Sequence, residues 1–233
     1  MRNCQAALGA GRVLADTWYR VPAFYFACPA TVLGPYDDAP TAPGSAWQDF
    51  ELEIAAVIGT GGKDLSVEQA EQAIIGYTIF NDWSARDLQQ LDSQLGIGQA
   101  KGKDSGVTLG PYLVTPDELE PYRRNGKLDL RVTASVNDTV IGSGSTAQMD
   151  WTFGEVISYA SRGVTLVPGD VIGPGRCPPA HWSSTWIPRR WNHFRAGCTT
   201  ATSSRCGSKG WARPGKPCAP AARRTAGRPA QPD

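Results

Sequence analysis

The sequence predicts an α+β fold that is mainly β. Three observations carry this expectation. Apolar runs of strand length recur and stop at Gly or Pro, over 49–59, 76–80, 128–136 and 164–173. Helical periodicity is confined to short stretches, near 65–74 and 153–160. No apolar run approaches the length of a bilayer-spanning helix, and no signal-peptide pattern opens the 233-residue chain.

Taken in order, residues 1–8 read as the middle of a helix with no capping residue before it. Trp18-Tyr19-Arg20-Val21-Pro22 leads into Phe24-Tyr25-Phe26, expected as a short aromatic strand. Residues 29–44 are loop-rich, with Gly34-Pro35 and Pro40 as breakers.

The stretch 49–59 is the organising element. Its aliphatic residues run almost unbroken, yet Glu51 and Glu53 interrupt them. Two residues apart on a strand, both side chains point to one face. Two like charges there repel and are costly to desolvate. A hard divalent cation resolves both problems, because Mg²⁺ and Ca²⁺ take carboxylate oxygens. A wet sheet face with both Glu solvated is the plain alternative.

Ser66-Val67-Glu68-Gln69 has the form of a capping box, followed by a short helix with Leu65, Ala70, Ala73 and Ile74 on one side. A second strand over 76–80 is expected to end at Asn81, which places Asp82 where strand meets loop and lets it add a third carboxylate. An ordinary helix start capped by Asp82 or Ser84 is the alternative. Arg86 and Gln89 are three apart and share a helix face. In the 96–106 loop Gly and Lys alternate, but the pattern GxxxxGK[ST] is absent, so a P-loop is not expected. Thr115-Pro116 starts a short helical turn. Leu128, Leu130, Val132, Ala134 and Val136 alternate along a strand that turns at Asn137-Asp138. Phe153, Val156, Ile157 and Ala160 line one side of a helix, and Pro168-Gly169-Asp170 turns between two strands.

Charge divides the chain. Residues 1–173 carry 12 basic against 21 acidic side chains, a balance of −9; residues 174–233 carry 11 basic against one acidic, a balance of +10. A basic Pro/Gly/Ser-rich tail has the look of a nucleic-acid-binding arm. Its four Trp and four Cys argue against that, since disordered arms are poor in both. The six Cys show no CxxC spacing, so no zinc site is expected and a reducing cytoplasm is the default.

With these pieces in order, the chain resembles the fumarylacetoacetate hydrolase family from about Tyr19 to Gly173. The resemblance rests on Asp49-Phe50-Glu51-Leu52-Glu53, Asn81-Asp82-Trp83-Ser84-Ala85-Arg86-Asp87, Lys101-Gly102-Lys103 and Pro168-Gly169-Asp170-Val171-Ile172-Gly173. It implies a mixed β-roll around one Mg²⁺ or Ca²⁺ ion, with Glu51, Glu53 and Asp82 as metal ligands. It places Lys103 and Arg86 as catalytic groups, and Tyr25 and Gln89 against the substrate. The implied activity is hydrolytic cleavage of a carbon–carbon bond in a β-diketone or acylpyruvate, through an enolate chelated by the cation. Isomerisation, hydration or decarboxylation of a related keto acid in aromatic catabolism is the alternative. A homodimer is implied, and neither a membrane nor a nucleic-acid partner.

Against the family pattern, a first Asp ligand and a water-activating His belong upstream of the segment that matches Met1, and the Glu paired with that His belongs after Gly173. The roll is therefore expected to be incomplete at both ends and the chain on its own nearly inactive; a non-catalytic relic with a basic nucleic-acid-binding tail is the alternative. Residues 174–233 are expected to be an out-of-frame, disordered tail. Reading each codon's last base with the next two, His181-Trp182 forces Leu, Trp186-Ile187 Asp, Trp191-Asn192 Glu and Trp211-Ala212 Gly. The same frame permits a Gly-Thr-Gly loop and a following Glu.

Overall fold

The computed structural model describes residues 16–96, 98–136 and 139–175, and the backbone of 194–199. The strands are β1 (Val32–Leu33), β2 (Gln48–Ile58), β3 (Gly62–Lys63), β4 (Ile74–Ala85), β5 (Val107–Leu109), β6 (Arg123–Arg124), β7 (Lys127–Leu128), β8 (Arg131–Val136), β9 (Thr139–Ser145), β10 (Thr165–Leu166), β11 (Val171–Ile172) and β12 (Phe194–Thr199). The helices are α1 (Val67–Gln72), α2 (Arg86–Leu95), α3 (Pro116–Leu119) and α4 (Phe153–Ala160). Strand dominates, as expected for an α+β protein that is mainly β.

The central sheet runs β1-β5-β4-β2-β11. All its pairs are antiparallel except β1 with β5. A second sheet runs β12-β8-β9, and β10-β3 and β6-β7 form two-stranded ribbons. The β2–β4 pair is the spine, with Gln48 opposite Ala85 and Glu51 opposite Asp82. Alternation on β2 sends Phe50, Leu52, Ile54, Ala56 and Ile58 into the main core, beside Val132, Ala134, Phe153 and Ile157. Each large aliphatic side chain buried there contributes about 1.5–3 kcal/mol.

Helices α1, α3 and α4 close that core through Ala70, Leu119, Phe153 and Ile157, and α1 and α4 carry side-chain caps. Ser66 and Gln69 form a complete capping box on α1, as Thr152 and Glu155 do on α4. Two serines staple the segment before α1 to α4: Ser158 Oγ donates to the Leu65 carbonyl at 2.7 Å, and Leu65 N donates to Ser161 Oγ at 2.9 Å.

The structure corrects two elements. β4 does not stop at Asn81 but runs on to Ala85, so Asp82 is a mid-strand residue. The reason is that β2 offers partners along the whole length, pairing Phe50 with Trp83 and Asp49 with Ser84. Phe24-Tyr25-Phe26 is not a strand but part of an irregular segment. Phe24 and Phe26 are 57% and 84% exposed, while Tyr25 turns inward. Within the basic tail, β12 pairs antiparallel with β8 along six residues, so an unpaired tail is not what the structure shows there. The rest of the tail and the helix expected at 1–8 lie outside the described residues.

Candidate metal and substrate site

The site grows from the second face of the β2–β4 pair. Asp49, Glu51 and Glu53 alternate with the core residues of β2, and Asp82 stands opposite Glu51 on β4. Oxygens of Glu51, Glu53 and Asp82 lie within 4.8 Å of one another. Glu53 is 3% and Asp82 1% exposed, so the wet-face alternative does not describe this surface.

Two cations answer these acids. Lys103 Nζ reaches Glu51 Oε2 at 2.7 Å and Asp82 Oδ2 at 2.6 Å. Arg86 Nε bonds Asp49 Oδ2 at 2.7 Å, Nη2 pairs with Glu51 Oε1 at 2.9 Å, and Nη1 donates to Gln89 Oε1 at 2.9 Å. Tyr25 donates its hydroxyl to Asp82 Oδ2, and Lys103 Nζ lies 5.8 Å from the Tyr25 ring centre. Every residue the sequence proposed therefore converges here. Arg86 and Gln89 stand behind Glu51, whereas Tyr25 and Lys103 meet at Asp82.

The electrostatics follow from burial. Desolvation raises the Glu53 pKa well above the ordinary carboxylate range, and the charges of Asp82 and Glu51 raise it further. Asp82 is likewise raised by desolvation, against the opposing pull of Lys103. Burial would lower the Lys103 and Arg86 pKa values, but Glu51 with Asp82, and Glu51 with Asp49, outweigh it, so both are raised. Burial and Asp82 hold the Tyr25 phenol far above its usual range, which keeps it a proton donor.

These residues fit a divalent cation. Ionised, Asp49, Glu51, Glu53 and Asp82 outnumber Arg86 and Lys103 by two charges. Asp82 Oδ1 is buried without a hydrogen-bond partner. Glu53 Oε2 receives one backbone bond, from Gly175 N at 3.1 Å. A Cβ on Gly173 would sit 2.6 Å from that same oxygen, so the glycine leaves the carboxylate its room. An all-oxygen donor set suits a hard ion such as Mg²⁺, Ca²⁺ or Mn²⁺.

The family model described as "Fumarylacetoacetate (FAA) hydrolase C-terminal" matches residues 2–190, reaching past the motif-bearing stretch at both ends. The chain belongs to the fumarylacetoacetate hydrolase family. It is 36% identical over 150 residues to the mitochondrial oxaloacetate tautomerase FAHD2A of Homo sapiens, covering 64% of this chain and 46% of that protein. The chain thus spans about half the length of the curated relatives it matches. The solved fumarylacetoacetate hydrolase of Exiguobacterium antarcticum is 31% identical with a TM-score of 0.64, over 80% of this chain and 65% of that one. Fumarylpyruvate hydrolase of Pseudomonas aeruginosa, solved with Mn²⁺ and pyruvate, is 27% identical with a TM-score of 0.54, over 62% and 61%.

Three site features escaped the sequence reading. Asp49 is the first acid of the same-face series, and its two-residue spacing from Glu51 was the available signal. Asp92 is buried on α2 and holds the loop that carries Lys103. The close approach of the 173–175 turn to Glu53 had no local signal.

Proposed function

We propose that this site binds a small 2-oxo acid or β-diketone together with one divalent cation, and catalyses chemistry through its enolate. The observation that carries the reading is the buried charge cluster, four carboxylates against two cations. Glu51, Glu53 and Asp82 hold the cation, as Mg²⁺, Ca²⁺ or Mn²⁺. When bound, that ion supplies Lewis acidity to the carbonyl and enol oxygens of the substrate.

The chain's own residues do the rest. Lys103 holds its ammonium charge beside the site and offers it to a developing oxyanion. Tyr25 covers Asp82 and presents a phenol that stays protonated. Arg86, 2% exposed and engaged by Asp49, Glu51 and Gln89, acts by fixing the Glu51 carboxylate. Gln89 anchors Arg86 through its oxygen and presents its amide nitrogen to substrate.

Keto–enol tautomerisation is the leading reaction, because it moves one proton between oxygen and carbon through an enolate, and so needs one group to take a proton and one to give it but no attacking water. Similarity to the human oxaloacetate tautomerase supports it. Hydrolytic carbon–carbon cleavage is the second reading, supported by similarity to fumarylpyruvate hydrolase, and requires a base to activate water. A homodimer in a reducing compartment completes the proposal. Among the described residues no helix is long and apolar enough to cross a membrane.

The test is to follow enol absorbance of oxaloacetate, and separately release of pyruvate from an acylpyruvate, with Mg²⁺ or Mn²⁺ and with chelator. Cation-dependent loss of the enol supports the first reading, and cation-dependent pyruvate release the second. Cation-independent behaviour in both, alongside no cation binding, overturns the proposal.

A further inference from the structure

We propose that Asp92 is a positioning residue that aims Lys103, by clasping the loop before it onto helix α2. The inference rests on the reading of Lys103 as the ammonium that faces the reacting oxygen.

Helix α2 buries only two of its ten residues, and both are charged: Arg86 and Asp92. Arg86 belongs to the site, as shown above. Asp92 is 8% exposed and takes no part in the cluster's ion pairs. Its Oδ2 accepts two backbone bonds from the loop, from Ala100 N at 3.1 Å and from Gly102 N at 2.8 Å. A carboxylate used in this way is strong, since charged acceptors roughly double a hydrogen bond's strength.

The same loop is pinned from two further sides. Ala85 N, just ahead of α2, donates to the Gly102 carbonyl at 2.8 Å. Lys103 N donates to the Ala100 carbonyl at 3.0 Å, which turns the chain toward the site. Gly102 lies flush on the helix: a Cβ there would stand 2.6 Å from both Cα and N of Gln89. By contrast, Gly96 and Gly98 upstream have φ of 72° and 98°, left-handed conformations that glycine adopts without strain. The loop is therefore permissive at its start and fixed at its end. Of the groups that fix it, Asp92 is the side chain that clasps Gly102, one residue before the lysine whose side chain must span to Glu51 and Asp82.

The two groups do different work. Lys103 meets the carboxylates and the substrate, whereas Asp92 accepts hydrogen bonds from the backbone of the loop. If the clasp opens, Lys103 loses its reach while the β2–β4 carboxylates stay in place. The consequence is a selective loss at Lys103 that a conservative acceptor prevents.

The experiment is residue-resolved acetylation of the full chain by acetic anhydride, read by mass spectrometry, with exposed Lys63 as internal reference. Wild-type Lys103 is expected to be strongly protected relative to Lys63. Asp92→Ala should raise Lys103 labelling by about tenfold or more, as loss of a charged hydrogen bond implies. Asp92→Asn keeps an acceptor oxygen and should hold labelling within about threefold of wild type. Gly102→Ala drives the loop off Gln89 by sterics and should behave as Asp92→Ala, which keeps the inference testable where Asp92→Ala does not fold. Circular dichroism verifies the fold of each variant. Protected Lys103 in folded Asp92→Ala or Gly102→Ala overturns the clasp, and so does Asp92→Asn labelling as fast as Asp92→Ala. The parent reading fails separately: Lys103→Met with unchanged enol turnover removes the role of Lys103 and leaves the labelling result standing.

Discussion

The two faces of the β2–β4 pair solve burial in opposite ways. On one face Leu52, Ile54 and Ile58 are at most 2% exposed and need no partner beyond contact. On the other, Glu53 and Asp82 are buried as deeply, and their burial is tolerable only through groups brought from elsewhere in the chain. Hydrophobic burial is non-directional, so the apolar face tolerates volume-conserving exchange. Buried charge is directional and incomplete without each partner. The apolar face therefore gives stability that survives exchange, whereas the charged face is stable only with every partner present and sets what can bind.

Three variants break or sharpen that contrast. The largest effect is expected from Arg86→Ala, which leaves Asp49 and Glu51 without their shared cation. Breaking a buried pair from one side costs about 3–5 kcal/mol. Chemical denaturation checks this, and a loss below about 1 kcal/mol would show the pair to be solvated in practice. A smaller loss is expected on the apolar face, where Ile54→Val should cost about 0.5–1.5 kcal/mol and leave cation binding unchanged. A cation affinity that moves with Ile54→Val would mean the faces are coupled.

The smallest effect belongs to Asp87, at the rim. Burial pushes its carboxyl up, but Ser45 Oγ at 2.6 Å and the N–H groups of Ala46 and Leu88 outweigh this and hold it below 3.8. A depressed carboxylate stabilises the fold above its unfolded value of 3.8 and loses that contribution as pH falls through the lower folded value. Asp87→Asn should thus be less stable than wild type at neutral pH, with the gap closing on acidification. A gap that is constant with pH contradicts the assignment.

Much of this was legible in the sequence because period-2 alternation assigns faces. Glu51 and Glu53 fall on one side of β2, and Leu52 and Ile54 on the other, whatever the rest of the chain does. The motifs then supplied Asp82, Arg86, Gln89 and Lys103. What resisted reading was anything set by tertiary partners. The end of β4 was misplaced because β2, not local propensity, decides how far pairing runs. Helix α2 inverts the usual pattern: Leu91 and Leu95 are 59% and 69% exposed, while Arg86 and Asp92 are buried. Tyr25 sits in an irregular segment, and its hydroxyl reaches across the chain to Asp82.

The tail raises a separate question. We propose that residues 174–233 are translated out of frame, on the break in charge and composition at Gly173 and the residues forced in the alternative frame. The pairing of β12 with β8 and the family match that runs on to residue 190 both count against it. The coding DNA decides: a stop codon in the alternative frame between Gly173 and Trp211 contradicts the proposal.

The central claim is that Glu51, Glu53 and Asp82 are a cation site and not merely a buried ion-pair network. Thermal unfolding of wild type and Glu53→Gln, each with Mn²⁺ or with chelator, tests it most directly. A ligand that binds only the folded state at about 100 times its Kd stabilises by about 2.7 kcal/mol. The account predicts a clear upward shift of wild-type Tm with Mn²⁺ and none for Glu53→Gln. It also predicts a higher chelated Tm for Glu53→Gln than for wild type, because the variant removes a buried carboxylate beside two others. Equal Mn²⁺ shifts in the two proteins would contradict it.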